Sequence, residues 1–144
     1  MVICADTSAL FSLYAHDVHS SRIVAWLTSQ RRPLVVTLLN EFELSNALRF
    51  AEWRGAIATG QAAAFWAEFQ EDLAAGRIVR HACNLAAVLD EAIRLSAAHT
   101  LAGGHRSFDI VHVAAAVVMK ASHFLTFDQN QQRLAEAEGL GVPC

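Results

Sequence analysis

SFDIVHVAAAVVMKASHFLTFDQN, residues 107–130, sets a mostly apolar run between two aspartates, Asp109 and Asp128. Its first half is spaced as a helix that Ser107 can cap and that runs to about Lys120. Its second half, HFLTF at 123–127, reads as a buried strand, and DQNQQRLAEAEG at 128–139 resumes a helix. Outward from this segment the same alternation recurs. VICA (2–5), LVVT (34–37) and RIVRHA (77–82) read as strands, the last short and at an edge. SALFSLYA begins a helix after the first strand, and His19-Ser20-Ser21 offers an N-cap for RIVAWLTSQ. Leu39, Phe42, Ala47, Leu48 and Ala51 fall at helical spacing between Leu38 and Arg54, ending at Gly55. Phe65, Trp66, Phe69 and Leu73 mark a helix from about Thr59 to Ala75, stopped by Gly76. Leu85 to Ala98 is a further helix, followed by a loop containing Gly103-Gly104. Strands alternating with helices predict an α/β chain whose parallel sheet is covered on both faces.

At 144 residues, with no repeat, linker or low-complexity tract, the chain reads as one domain able to bury a core without staples. It is 54% hydrophobic and 17% charged, against a usual charged share of about 25%. Apolar stretches stop short of the roughly 18 residues a membrane span needs. MVICADTSALF lacks a basic segment and meets Asp6 early, which speaks against a secretion leader. Cys4, Cys83 and Cys144 are scattered and odd in number, which suits core filling in a reducing cytoplasm. The net charge of −3 supplies no global field for a polyanion, so local arginines or a bound cation must hold one.

Ligands of open α/β sheets bind outside the carboxyl ends of the strands. Asp6 follows the first strand, Asp128 follows the last, and Asp109 opens the helix after Ser107. Each has an ordinary role open to it: Asp6 as an N-cap, Asp128 in a D-x-x-Q box with Gln131, Asp109 beside a helix dipole. Glu43 has no capping role. It lies four residues from both Leu39 and Ala47, along the expected buried stripe, whereas Glu41 lies about 200° away around the helix. Glu41 remains the alternative. Carboxylates gathered in one cleft repel one another, and a hard divalent cation relieves that repulsion.

VICADTSAL (2–10), ELSNALR (43–49), RSFDIVHVAAA (106–116) and FLTFDQNQQRLAEAEGL (124–140), in this order, resemble PIN domains, and among them VapC-type toxin ribonucleases. The resemblance spans the whole chain, though no single motif is specific. It implies a three-layer α/β/α sandwich with a mainly parallel sheet of four to five strands, built as a single domain over residues 1–144. It implies Asp6, Glu43, Asp109 and Asp128 as the catalytic acids, the three aspartates holding Mg²⁺ or Mn²⁺. Ser8 and Thr126 match supporting hydroxyl positions. The implied activity is hydrolysis of RNA phosphodiester bonds in the cytoplasm, with a VapB-like antitoxin as partner and a homodimer formed through helices. The net negative charge departs from what RNA binding favours and shifts that burden to the active centre.

His112, three residues after Asp109, is either a packed histidine bonded to a backbone carbonyl or a donor to the site. The histidines form no HxxxH or HxH pair, which disfavours zinc. Arg106 is the expected phosphate ligand, with a solvated loop charge as its ordinary reading. Arg31, Arg32 and Arg49 are unranked contributors. Trp26, Trp53, Phe65, Trp66 and Phe69 read as core, some of them available to a groove for a partner helix. Two rival functions remain: an inactive PIN-like binding module, and a metal-dependent phosphatase with Asp6 as nucleophile. The phosphatase would want a DxD arrangement and a nearby lysine, but position 8 is Ser and Lys120 is the only lysine.

Overall fold

Four apolar tripeptides pair into one sheet in a computed structural model, which describes residues 1–144. They are β1 (Ile3–Ala5), β2 (Leu34–Val36), β3 (Ile78–Arg80) and β4 (His123–Leu125), ordered β3-β2-β1-β4, every neighbouring pair parallel. β2 and β4 are shorter than their expected runs because the residue that follows each is recruited elsewhere. Thr37 leaves β2 to accept from the Asn40 backbone in a capping box, and Thr126 leaves β4 to bond Asp6.

The helices are α1 (Thr7–Ala15), α2 (Ser20–Ser29), α3 (Leu38–Trp53), α4 (Gln61–Ala74), α5 (Leu85–Leu95), α6 (Leu101–Gly103), α7 (Ser107–Val118) and α8 (Gln129–Ala137). Side chains alternate across the strands and so divide the core in two. Ile3, Ala5, Leu34, Val36 and Leu125 pack with Leu10, Leu44, Leu48 and Phe69 of α1, α3 and α4. Cys4, Val35 and Phe124 face the other way, onto Val88 and Leu95 of α5, Val113 of α7 and Leu134 of α8. Each fully buried Leu, Ile or Phe contributes about 1.5–3 kcal/mol. The result is the expected α/β/α sandwich. No helix is long and apolar enough to cross a membrane, and all three cysteines are free thiols.

Several local expectations fail. Ser107 does not cap α7: it is the first helical residue, and extended Arg106 holds the cap position without a side-chain bond. The helix after Leu85 does not end at Ala98. It widens into a π-helical turn at Ser96–Thr100 and continues through α6 to Gly104, whose φ of 65° closes it. The buried stripe of α3 runs through Leu44, Leu48 and Ala51, leaving Phe42 66% exposed. Phe65 and Phe69 are core, but Trp53 is 80% exposed.

The chain runs from β1 outward through β2 and β3, then returns to the far side of β1 as β4. Beyond the carboxyl ends of β1 and β4 this reversal opens a crevice.

Candidate active site

A cleft of about 580 Å³ opens at that crevice, and Asp6, Glu43, Asp109 and Asp128 all line it. Asp6 caps α1 and is 4% exposed. Its Oδ1 accepts from the Ala9 amide at 2.9 Å, its Oδ2 from Thr126 Oγ1 at 2.7 Å, and Ser8 Oγ lies 2.7 and 2.8 Å from the two oxygens. Burial pushes this carboxyl up to about 6, against the lowering by those hydrogen bonds. Ser8 also accepts from the Phe127 amide, and Thr126 from the Asp128 amide. The two hydroxyls therefore tie the end of β1 to the end of β4.

Asp128 is exposed and caps α8, its Oδ1 accepting from the Gln131 amide at 2.9 Å. Asp109, half-buried in the first turn of α7, has its pKa raised by burial and then by the negative charges of Asp128 and Glu43. The cap roles and the cleft positions thus coexist in the same side chains.

The two glutamates of α3 separate cleanly. Glu41 is buried away from the cleft and takes a bidentate pair from Arg80 Nε and Nη2 at 2.5 Å. Glu43 does not lie in the core stripe as expected but on its flank, half-buried and facing the cleft, with its i+4 neighbour Ala47 also in the wall. Burial pushes Glu43 up, but the hydrogen bond with His112, aided by the nearby Thr7 hydroxyl, brings its pKa below the usual value. Thr7 Oγ1 itself is buried in the cleft wall without a partner at hydrogen-bonding geometry.

His112 bonds no backbone carbonyl. Its Nε2 lies 3.2 Å from Glu43 Oε2 and its Nδ1 3.3 Å from Asn40 Nδ2. Arg106 is exposed and does not line the cleft, although its charge reaches Asp109. Arg54, which sequence reasoning did not single out, does line it. It is the only arginine or lysine lining the cleft, lies over the Phe50 ring at 5.9 Å, and makes no salt bridge. His19 and Phe127, stacked with centroids 4.3 Å apart, form part of the opposite wall. Lys120 lies beyond the far end of α7 from Asp109.

Carboxylate oxygens, an orphaned buried hydroxyl and an Asp109 raised by burial and then by neighbouring negative charge are a donor set suited to a hard divalent cation. No three of the His, Cys, Asp and Glu side chains stand close enough, as placed, to surround an ion. Enclosing one requires side-chain movement, for which exposed Asp128 has the most freedom.

Comparison with known structures finds the same architecture. A chain of VapBC2 from Rickettsia felis, solved bound to a DNA fragment from their promoter, is similar with a TM-score of 0.67 and 12% identity, over 99% of this chain and 97% of that one. A chain of FitAcB from Neisseria gonorrhoeae is similar with a TM-score of 0.60 and 19% identity, over 98% and 96%. No curated protein matches by sequence. The profile of the PIN domain matches residues 3–137, which takes in all four strands together with Asp6, Glu43, Asp109 and Asp128. The chain belongs to the PIN domain family.

Proposed function

We propose that this PIN domain is a Mg²⁺- or Mn²⁺-dependent endoribonuclease, acting in the cytoplasm as the toxin of a toxin–antitoxin pair. The observation that carries the reading is that Asp6, Glu43, Asp109 and Asp128, from distant parts of the chain, all line one cleft beside a single unpaired arginine.

Asp6, Asp109 and Asp128 would hold the ion. When bound, it supplies neutralisation of the phosphate charge and acidification of a water. Ser8 shares one hydroxyl proton between both Asp6 oxygens, so turning it aside frees a lone pair while Ala9 and Thr126 still hold the carboxylate. Glu43, whose Oε2 is engaged by His112, presents Oε1 to accept a proton from the attacking water. The water oxygen bonds to phosphorus as the bond to the 3′ oxygen breaks, and the 3′ oxygen leaves with the electron pair and takes a proton from solvent water. Arg54 grips a neighbouring phosphate from the cleft wall. The absence of a lysine from the cleft disfavours the phosphatase alternative.

Likeness to chains of VapBC2 and FitAcB supports an antitoxin partner, and the reading includes a homodimer formed through helices. Exposed Phe42, Phe50 and Trp53 on α3 offer apolar area for such contacts. The decisive experiment is RNA cleavage with Mn²⁺ by the wild type, Asp6→Ala and Asp109→Ala. Loss in both variants supports the assignment, and activity that survives both overturns it.

A further inference from the structure

We infer that Asn40 fixes the tautomer of His112, and that through this ring it positions Glu43, so that Asn40 and His112 act as positioning residues for the nuclease reaction proposed above. The orientation of the Asn40 amide follows from its backbone neighbours. The Thr37 amide can only donate, and it lies 3.0 Å from Asn40 Oδ1. The Ala5 carbonyl can only accept, and it lies 3.0 Å from Asn40 Nδ2. Reversing the amide would break both bonds and set like against like inside the protein, where Asn40 is 5% exposed.

With the amide so fixed, one Nδ2 hydrogen serves Ala5 and the other points toward His112 Nδ1 at 3.3 Å. Nδ1 must therefore present its lone pair, because a proton there would face the amide hydrogen. The ring proton sits on Nε2, from which it is donated to Glu43 Oε2 at 3.2 Å. A chain of hydrogen bonds thus runs from the last residue of β1, through the first turn of α3 and the middle of α7, to the cleft. The carboxylate at its end is held by a buried ring rather than by water. One Glu43 oxygen is fixed and the other is left for the reaction.

Three measurements test this. In wild-type protein labelled with ¹⁵N at histidine, the His112 ring should show hydrogen on Nε2 and a bare Nδ1 at neutral pH. Hydrogen on Nδ1 overturns the inference, whatever the chain does to RNA. His112→Leu should lower kcat for Mn²⁺-dependent cleavage by about 10- to 100-fold with KM little changed. His112→Gln, whose amide can donate to Glu43 and accept from Asn40, should restore the rate to within a few-fold of wild type. Equal loss in both variants, or a leucine variant as fast as wild type, overturns the positioning role. Should wild-type protein fail to cleave RNA while the ring shows the Nε2 tautomer, the nuclease reading falls and the tautomer assignment stands.

Discussion

Thr126 Oγ1 donates to Asp6 Oδ2 at 2.7 Å across 120 residues of sequence, and the same hydroxyl accepts from the Asp128 amide. One methyl-sized polar group therefore couples the acid after β1 to the acid after β4. Thr126→Val keeps the shape and deletes both bonds. It should destabilise the fold by about 1–3 kcal/mol, measured by urea unfolding at neutral pH. A variant as stable as wild type would show that the bond contributes nothing.

Asp6 also gives the metal-free protein a distinctive pH dependence. Burial raises its pKa from 3.8 to about 6. Below 3.8 the group is neutral in both folded and unfolded chains, and its contribution to stability is fully present. As pH rises toward about 6 the unfolded chain ionises first, so that contribution is lost by the time the folded group ionises. Compared with Asp6→Asn, the wild type should lose about 3 kcal/mol over this window. Parallel stability curves for the two proteins would contradict it.

The two glutamates of α3 make a paired test. Glu43→Gln should cut RNA cleavage about 100-fold or more, because an amide cannot take the proton. Glu41→Gln should leave cleavage near wild type and instead lower the unfolding midpoint, since it weakens the Arg80 pair. A reversed pattern would place the working glutamate on the other side of the helix.

Arg54→Ala should raise KM for RNA about 10-fold or more with a smaller change in kcat, consistent with about 1.5–3 kcal/mol for a hydrogen bond to a charged group. The salt dependence of binding should flatten at the same time. Arg106→Ala, outside the cleft wall, should change KM little. Equal effects of the two substitutions would mean that long-range charge, not contact, draws the substrate in.

Metal binding can be followed without any turnover. Mn²⁺ at about 100 times its dissociation constant should stabilise the wild type by about 2.7 kcal/mol. The thermal midpoint of Asp109→Asn should move far less. A midpoint that ignores Mn²⁺ in both proteins would remove the cation from the proposal.

Asp6 and Asp128 were legible because strand ends and helix caps leave local signals, and those signals also fix where the crevice forms. Helical spacing favoured Glu43 as part of the buried stripe and left Glu41 open as the alternative; Glu43 does line the cleft, but from the flank, and Glu41 is the more buried of the two. Arg54 was not legible, because it sits at the end of α3, where periodicity runs out and the chain turns through Gly55 at φ 77°. Arg106 drew attention through its place beside Asp109, and its charge does reach that carboxyl, but it does not line the cleft wall. Its extended backbone, φ −81° and ψ 153°, precedes the helix that aims Asp109 inward. The partners of His112 come from α3, about 70 residues upstream, so nothing near His112 in the sequence announces them.

The pairing of β1 with β4 has a consequence during synthesis. A growing chain carries Asp6 120 residues before Thr126, its partner after β4, and has nothing to close the cleft until the segment past Leu125 has left the ribosome. The cleft is therefore one of the last parts of the molecule to be completed, whatever chemistry it performs.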